Sequence, residues 1–388
     1  MDECHHAQSN KDHVYTRIMK DWYHRAKREG TGQLPRILGL TACLMVKSVP
    51  VYKFHTEKEI LEDIMDSKVE TTEDLYDILK YVTSPDESLR LFGDNSENVT
   101  QKAIIDQCLE AQNRLHNIVE NEKARLYDEA PNIQMKAVSE QDLKNHFKIL
   151  KNEILGSIIE GVSSLGLIAI KLSLNNFKLV FRKIQDASVR AQYRIEANFE
   201  MASIMQAFFV SLDHIVSQIR FLRGDLQSLE ALSSSKLMAL IDILRNNRGC
   251  STIIFVKTKF SAETINDILK EYSYADPSLA GISSDFAVSP GAKVNLRHPD
   301  LVIRQRNIEL INEERRKLQT TLANFKSPKE PTNTLVSTNV VEEGLDVRSC
   351  NLVIKFDFPD NFRSYVQSKG RARAKPSQYI LMVSGKEN

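Results

Sequence analysis

Thr334-Leu335-Val336-Ser337-Thr338-Asn339-Val340-Val341-Glu342-Glu343-Gly344-Leu345-Asp346 is the stretch on which the reading of the fold turns. Thr334 to Ser337 read as a short apolar strand, and the residues after it form a loop carrying acidic side chains and a glycine. In α/β folds, ligand-binding loops sit at the carboxyl ends of such strands.

Working outward, the same alternation fills the region from about residue 229 onward. A helix from Ser235 to Leu244 precedes the strand Ile253-Ile254-Phe255-Val256, and Ser261 is expected to cap a helix through Ile265 and Leu269. An amphipathic helix from Arg304 to Phe325 leads into Thr334. The strand Asn351 to Ile354, a helix from Phe362 to Ser368 and a strand from Gln378 to Val383 complete the series. Strand and helix alternate, which predicts a mostly parallel sheet covered by helices.

Upstream the pattern changes. From about 93 to 228 apolar residues recur at helical spacing, as in Leu143, Phe147, Leu150 and Ile154 or Ile204, Phe208, Leu212 and Ile215, which predicts an all-α block. Residues 1–92 mix short apolar runs such as Arg36 to Leu40 with helical stretches such as Thr56 to Asp66, so they read as α/β. Three domains are expected: 1–92, 93–228 and 229–388.

Composition narrows the class. A net charge of +1 over 388 residues excludes a wholly basic nucleic-acid binder, so any RNA contact must come from local patches. The stretch from Arg304 to Lys375 is rich in arginine and lysine, whereas Glu57 to Glu129 is acid-rich. Cys4, Cys43, Cys108, Cys250 and Cys350 stand far apart, as expected of reduced thiols in the cytosol or nucleus, and a cytoplasmic location is the expectation. The apolar run Ile154 to Ile170 is interrupted by Glu160 and too short to span a bilayer, so it reads as a buried helix and no membrane partner is expected.

Two short segments carry chemistry. Asp2-Glu3-Cys4-His5 has the form of a DExH box, in which one carboxylate can hold Mg²⁺ while its neighbour orients the attacking water of nucleotide hydrolysis. A solvated acidic segment, or a metal site built from Cys4, His5, His6 and His13, are the alternatives. Gln367-Ser368-Lys369-Gly370-Arg371-Ala372-Arg373 places two arginines just after a glycine turn, where they can clamp phosphate oxygens; the plain alternative is a solvated basic helix end.

Taken in order, Asp2 to His5, Leu38-Gly39-Leu40-Thr41-Ala42, the Glu342 to Asp346 loop and Gln367 to Arg373 resemble motifs II, III, V and VI of superfamily 2 helicases, and Ile253 to Lys259 resembles motif IV. Pro35 to Ala42, Asp276 to Ser284 and Arg363 to Ala374 read like segments of the Dicer group, and the intact motifs are most similar to those of arthropod antiviral Dicers. The resemblance implies an α/β fold of RecA-like domains, the first partial, with an all-α insert, and ATP with Mg²⁺ as cofactors. It implies that Asp2 coordinates Mg²⁺ through water, Glu3 positions the attacking water and His5 links the nucleotide site to the coupling residue Thr41. Gly344 and Asp346 lie near the ribose, Gln367 orders the cleft, and Arg371 and Arg373 contact the phosphates. Lys257, Thr258 and Thr338 face RNA.

Double-stranded RNA is the implied partner, together with a double-stranded RNA-binding protein docked on the helical insert. A GxxxxGK[ST] loop occurs nowhere in the sequence, so this polypeptide by itself is expected neither to bind ATP tightly nor to hydrolyse it. Segments for RNA cleavage are likewise expected only in a parent protein. A non-catalytic RNA- or partner-binding module, and a RIG-I-like RNA sensor, are the alternative readings.

Overall fold

The computed structural model describes residues 1–9, 13–30, 33–41, 43–44, 50–71, 84–93, 98–129, 133–190, 196–290, 301–327, 332–342 and 347–385. In chain order the elements are α1 (His6–Ser9), α2 (Val14–Arg17), which runs through a π-helical segment (Ile18–Tyr23) into α3 (His24–Glu29), α4 (Val51–Met65), β1 (Asp86–Phe92) and α5 (Val99–Glu129). Next come α6 (Ile133–Lys148), extended by a second π segment (Ile149–Gly156) into α7 (Ser157–Leu165), then α8 (Leu167–Arg190), α9 (Glu196–Gln218), α10 (Leu226–Leu232) and α11 (Ser235–Asn246). The remainder is β2 (Thr252–Phe255), α12 (Lys259–Ala275), β3 (Ser284–Ala287), α13 (Leu301–Lys326), β4 (Thr334–Ser337), β5 (Leu352–Lys355), α14 (Phe362–Lys369) and β6 (Gln378–Ser384), with short 3-10 turns at Pro277–Leu279 and Asn339–Val341.

The chain divides into two compact units, Met1–Ser88 with Ser251–Phe255 and Asn339–Leu381, and Leu89–Cys250 with Val256–Thr338 and Met382–Asn388. In the first, β5 lies between β2 and β6 and pairs parallel with both, Leu352 opposite Thr252 on one side and Gln378 on the other. β2 and β5 are buried along their whole length, as strands covered on both faces must be. Parallel neighbours need a crossover, and α14 supplies it between β5 and β6. Asn361 starts that helix by accepting the Ser364 N–H at 2.9 Å. The amino-terminal segment gathers Cys4, Ala7, Met19, Leu61 and Met65 into its own small core.

In the second unit β3 and β4 pair parallel, with Ser284 opposite Thr334, and α13 connects them. Asp285 of β3 accepts the hydroxyl of Thr321 on α13 at 2.7 Å, fixing the helix on the strand. The helical block packs around Leu115, Leu143, Leu150, Ile154, Met205 and Leu212, all fully buried. α9 is long and apolar enough by composition to cross a membrane. Its Met201, Met205, Phe208, Phe209 and Leu212 fill this core instead, so we read it as a core helix.

The α/β reading with a helical block holds, and three local expectations are corrected. Arg36 to Leu40 is not a strand; Leu40 alone bridges Asp2 in parallel. The run Ile154 to Ile170 is not one helix, because Gly166 breaks it at φ +96°, where a side chain would sit 2.4 Å from the Leu232 carbonyl. Thr258, rather than Ser261, caps α12: its Oγ1 accepts the Ser261 N–H at 3.1 Å, and the Ser261 hydroxyl donates to Glu160 at 2.6 Å.

Candidate functional site

The DExH residues are held by backbone first. Leu40 N–H donates to the Met1 carbonyl at 2.9 Å and Cys4 N–H to the Leu40 carbonyl at 3.0 Å, so the segment carrying Thr41 lies alongside the box. Gly39 is required there, since a Cβ would fall 2.8 Å from the Cys4 sulfur. Glu3 takes φ +49°, a conformation sparsely populated by non-glycine residues, and its N–H is satisfied by Asp2 Oδ1 at 3.0 Å.

That turn aims Glu3 and His5 at one point. His5 is fully buried, its Nδ1 2.6 Å from Thr41 Oγ1 and 3.2 Å from Glu3 Oε2, while the Glu3 side chain is 29% exposed. A hydroxyl has one proton, and Thr41 gives it to the Cys43 carbonyl at 2.8 Å rather than to Glu3 at 3.4 Å. Thr41 therefore accepts from Nδ1–H, which sets the imidazole tautomer and holds the ring against the Glu3 carboxylate. The His6 ring packs tilted against His5, 4.4 Å between centroids, and also meets Arg363 Nη2 at 3.2 Å, tying the box to the first turn of α14.

At the other end of α14 stand Gln367, half-buried, and the two arginines beyond Gly370. Arg371 donates from Nη2 to the Glu342 carbonyl at 3.0 Å, and Arg373 from Nε to the Gly370 carbonyl at 2.8 Å. Lys369 and Tyr365 on the same helix bind the Glu87 carboxylate, Tyr365 at 2.5 Å. Burial pushes Glu87 up, but these two partners outweigh it and leave the carboxyl below its ordinary range.

The remaining expected residues separate. Lys257 is exposed, whereas the Thr258 hydroxyl is engaged as a helix cap and lies 2.9 Å from Glu160. Thr338 is half-buried, with its N–H donating to the Ala287 carbonyl at 3.2 Å. Gly344 and Asp346 lie outside the described residues. Among the described residues no group of three or more His, Cys, Asp or Glu side chains could hold a metal ion, so the alternative site of Cys4, His5, His6 and His13 is set aside.

One cluster escaped the sequence reading: Glu342, Lys355 and Ser364, buried together under the helix that leads to the arginines. Lys355 at the end of an apolar strand was the available signal, because a lysine buried there must have an anionic partner.

A helicase conserved C-terminal domain matches residues 301–375. The chain is 29% identical to the Endoribonuclease Dicer of Danio rerio over 98% of its own length and 21% of that protein. It is 26% identical to the Endoribonuclease dcr-1 of Caenorhabditis elegans over 100% of its length and 19% of that protein. With Endoribonuclease Dicer homolog 2 of Arabidopsis thaliana the identity is 26% over 99% of this chain and 25% of the relative. The chain therefore spans about a fifth to a quarter of these relatives, and the matches do not single out an arthropod subtype. With its parallel α/β architecture, the chain is thus similar over nearly its whole length to the helicase region of Dicer proteins, and residues 301–375 match a helicase C-terminal domain of RecA-like type.

Proposed function

We propose that this chain contributes part of an ATP-hydrolysing site to a Dicer-type helicase module that binds and translocates along double-stranded RNA in RNA silencing. The observation that carries the reading is the contact of His5 with Thr41 at 2.6 Å beside Glu3 at 3.2 Å. It joins two segments far apart in sequence through side chains suited to orienting water and passing its displacement to a neighbouring loop.

The exposed Asp2 carboxylate, already accepting one N–H, fits a Mg²⁺ ion held through water, and the half-buried Glu3 fits the role of aligning the attacking water. Bound Mg–ATP would supply the phosphoryl group. In this reading Gln367 orders the cleft, Arg371 and Arg373 receive the phosphates, and Gly344 with Asp346 borders the ribose. Lys257, Thr258 and Thr338 face the RNA backbone, where contacts to phosphate and 2′-hydroxyl dominate. The work is assigned to the cytoplasm. Phe199 and Val210, exposed on α9, favour the additional docking of a double-stranded RNA-binding protein on the helical block.

Fluorescence anisotropy with blunt double-stranded RNA tests the nucleic-acid half of the proposal. The 388-residue chain is expected to bind RNA duplex in preference to DNA duplex, and Lys257→Ala is expected to lower the salt slope by about 1. Equal affinity for the two duplexes, or a slope that Lys257→Ala leaves alone, would refute it.

A further inference from the structure

Glu342 and Lys355 lie 2.7 Å apart with side chains only 3% and 5% exposed. Lys355 Nζ also donates to Ser364 Oγ at 3.0 Å, and that hydroxyl donates to Glu342 Oε1 at 2.9 Å. The ammonium lies 5.2 Å from the centre of the Phe255 ring. Three pieces of chain meet here: the turn after Asn339–Val341, the end of β5 and the first turn of α14.

A buried ion pair contributes little net stability, because desolvation offsets its attraction; what it can supply is a unique geometry. Here the geometry has a target. The carbonyl of the same Glu342 accepts Nη2 of Arg371, so the residue locked at its side chain offers a fixed acceptor to the motif VI arginine.

We propose that Glu342 is a positioning residue: held by Lys355 and Ser364, it sets through its main-chain carbonyl the direction in which Arg371 presents its guanidinium. The proposal rests on reading Arg371 as the phosphate-contacting arginine. A cluster that merely stabilised the fold would leave Arg371 indifferent to its replacement by a neutral pair of the same shape.

The test is the rate at which p-hydroxyphenylglyoxal modifies Arg371 in the native 388-residue chain, read by peptide mass spectrometry against exposed Arg28 as internal reference. In a folded Glu342→Gln/Lys355→Met variant the Arg371 rate is expected to rise about threefold or more relative to Arg28, since charge-assisted bonds are roughly twice as strong as neutral ones. An unchanged ratio in that variant overturns the proposal. Should the double variant not fold, Ser364→Ala deletes a single hydroxyl and is expected to raise the ratio by a smaller factor; no change there overturns the proposal as well. Protection of Arg371 by Mg–ATP is scored separately, in the wild-type chain joined to a polypeptide that supplies a GxxxxGK[ST] loop, because residues 1–388 by themselves are expected not to bind ATP tightly. A raised rate without protection refutes the phosphate role while leaving the positioning intact.

Discussion

Replacing Arg245 by methionine removes the cation from a set of three carboxylates and leaves Asp276 buried without it. The guanidinium donates to Asp276 at 2.8 Å, Glu230 at 2.7 Å and Asp242 at 3.4 Å, joining α10, α11 and the end of α12. The three contacts are not equal. Asp276 is 7% exposed, whereas Glu230 and Asp242 are 37% and 42% exposed, so the latter contribute about 0.2–1 kcal/mol each. Removing one member of a fully buried pair costs about 3–5 kcal/mol. Arg245 is 23% exposed, which places the expected loss for Arg245→Met near 3 kcal/mol, or a fall in melting temperature of about 4 °C.

Calorimetry on Arg245→Met, Asp276→Asn and the double variant isolates the pair. Asparagine keeps its oxygen on the Ser278 N–H, now 2.8 Å from Asp276 Oδ1, but turns its amide NH2 toward Arg245 Nε, so that variant reports the loss of the charge together with the Arg245 hydrogen bond. Coupling with Asp276 should exceed about 1.5 kcal/mol, and a value below about 0.5 kcal/mol would refute the assignment. The pH dependence has a definite sign. Burial pushes Asp276 up, but Ser278 and Arg245 hold its carboxyl below the ordinary aspartate range. The contribution is therefore present above about pH 4 and is lost as pH falls through the depressed value, so wild type and Arg245→Met should converge in acid.

Three further outcomes follow from the same structure. Gly166→Ala places a Cβ 2.4 Å from a carbonyl at φ +96° and should lower the melting temperature far more than Gly30→Ala, where φ is +64° and the space is open; the latter should cost about 1 kcal/mol. Burial pushes His146 down to about 4, so the unfolded chain binds a proton between about pH 6.5 and 4 that the folded chain refuses. Stability in that window should fall with pH by up to about 1.4 kcal/mol per unit, and His146→Gln should flatten the fall in pH-resolved melts. Burial also raises the thiols of Cys108 to about 12 and Cys350 to about 11. Iodoacetamide at pH 8 should therefore label half-exposed Cys43 and Cys250 first, as read by mass spectrometry.

What could be read from sequence followed the strength of the local signal. Thr334–Ser337 emerged with the expected bounds because a short apolar run flanked by polar residues admits one reading as a buried strand. The cap of α12 was misplaced because Thr258 and Ser261 are both good caps, and Glu160, remote in sequence, draws the Ser261 hydroxyl away. Arg36 to Leu40 has strand-like composition, yet it forms only the isolated bridge of Leu40 to Asp2.

The site was legible where a motif is contiguous. Asp2 to His5 is one contiguous segment and His5 meets Thr41, whereas the bonds of His6 to Arg363 and of Glu342 to Lys355 join residues that no spacing rule connects. Thr258 adds a role that the motif does not announce: its hydroxyl caps α12 at the place where the resemblance puts an RNA contact.

The most direct measurement is ATP hydrolysis with and without blunt double-stranded RNA. The 388-residue chain contains no GxxxxGK[ST] loop and is expected to be inactive by itself. Joined to a polypeptide that supplies such a loop ahead of Asp2, it should hydrolyse ATP with RNA stimulation, lose the activity in Glu3→Gln and fall about a thousandfold in Arg371→Ala. RNA-stimulated hydrolysis by residues 1–388 alone, or hydrolysis by the joined chain that ignores both substitutions, would contradict the account.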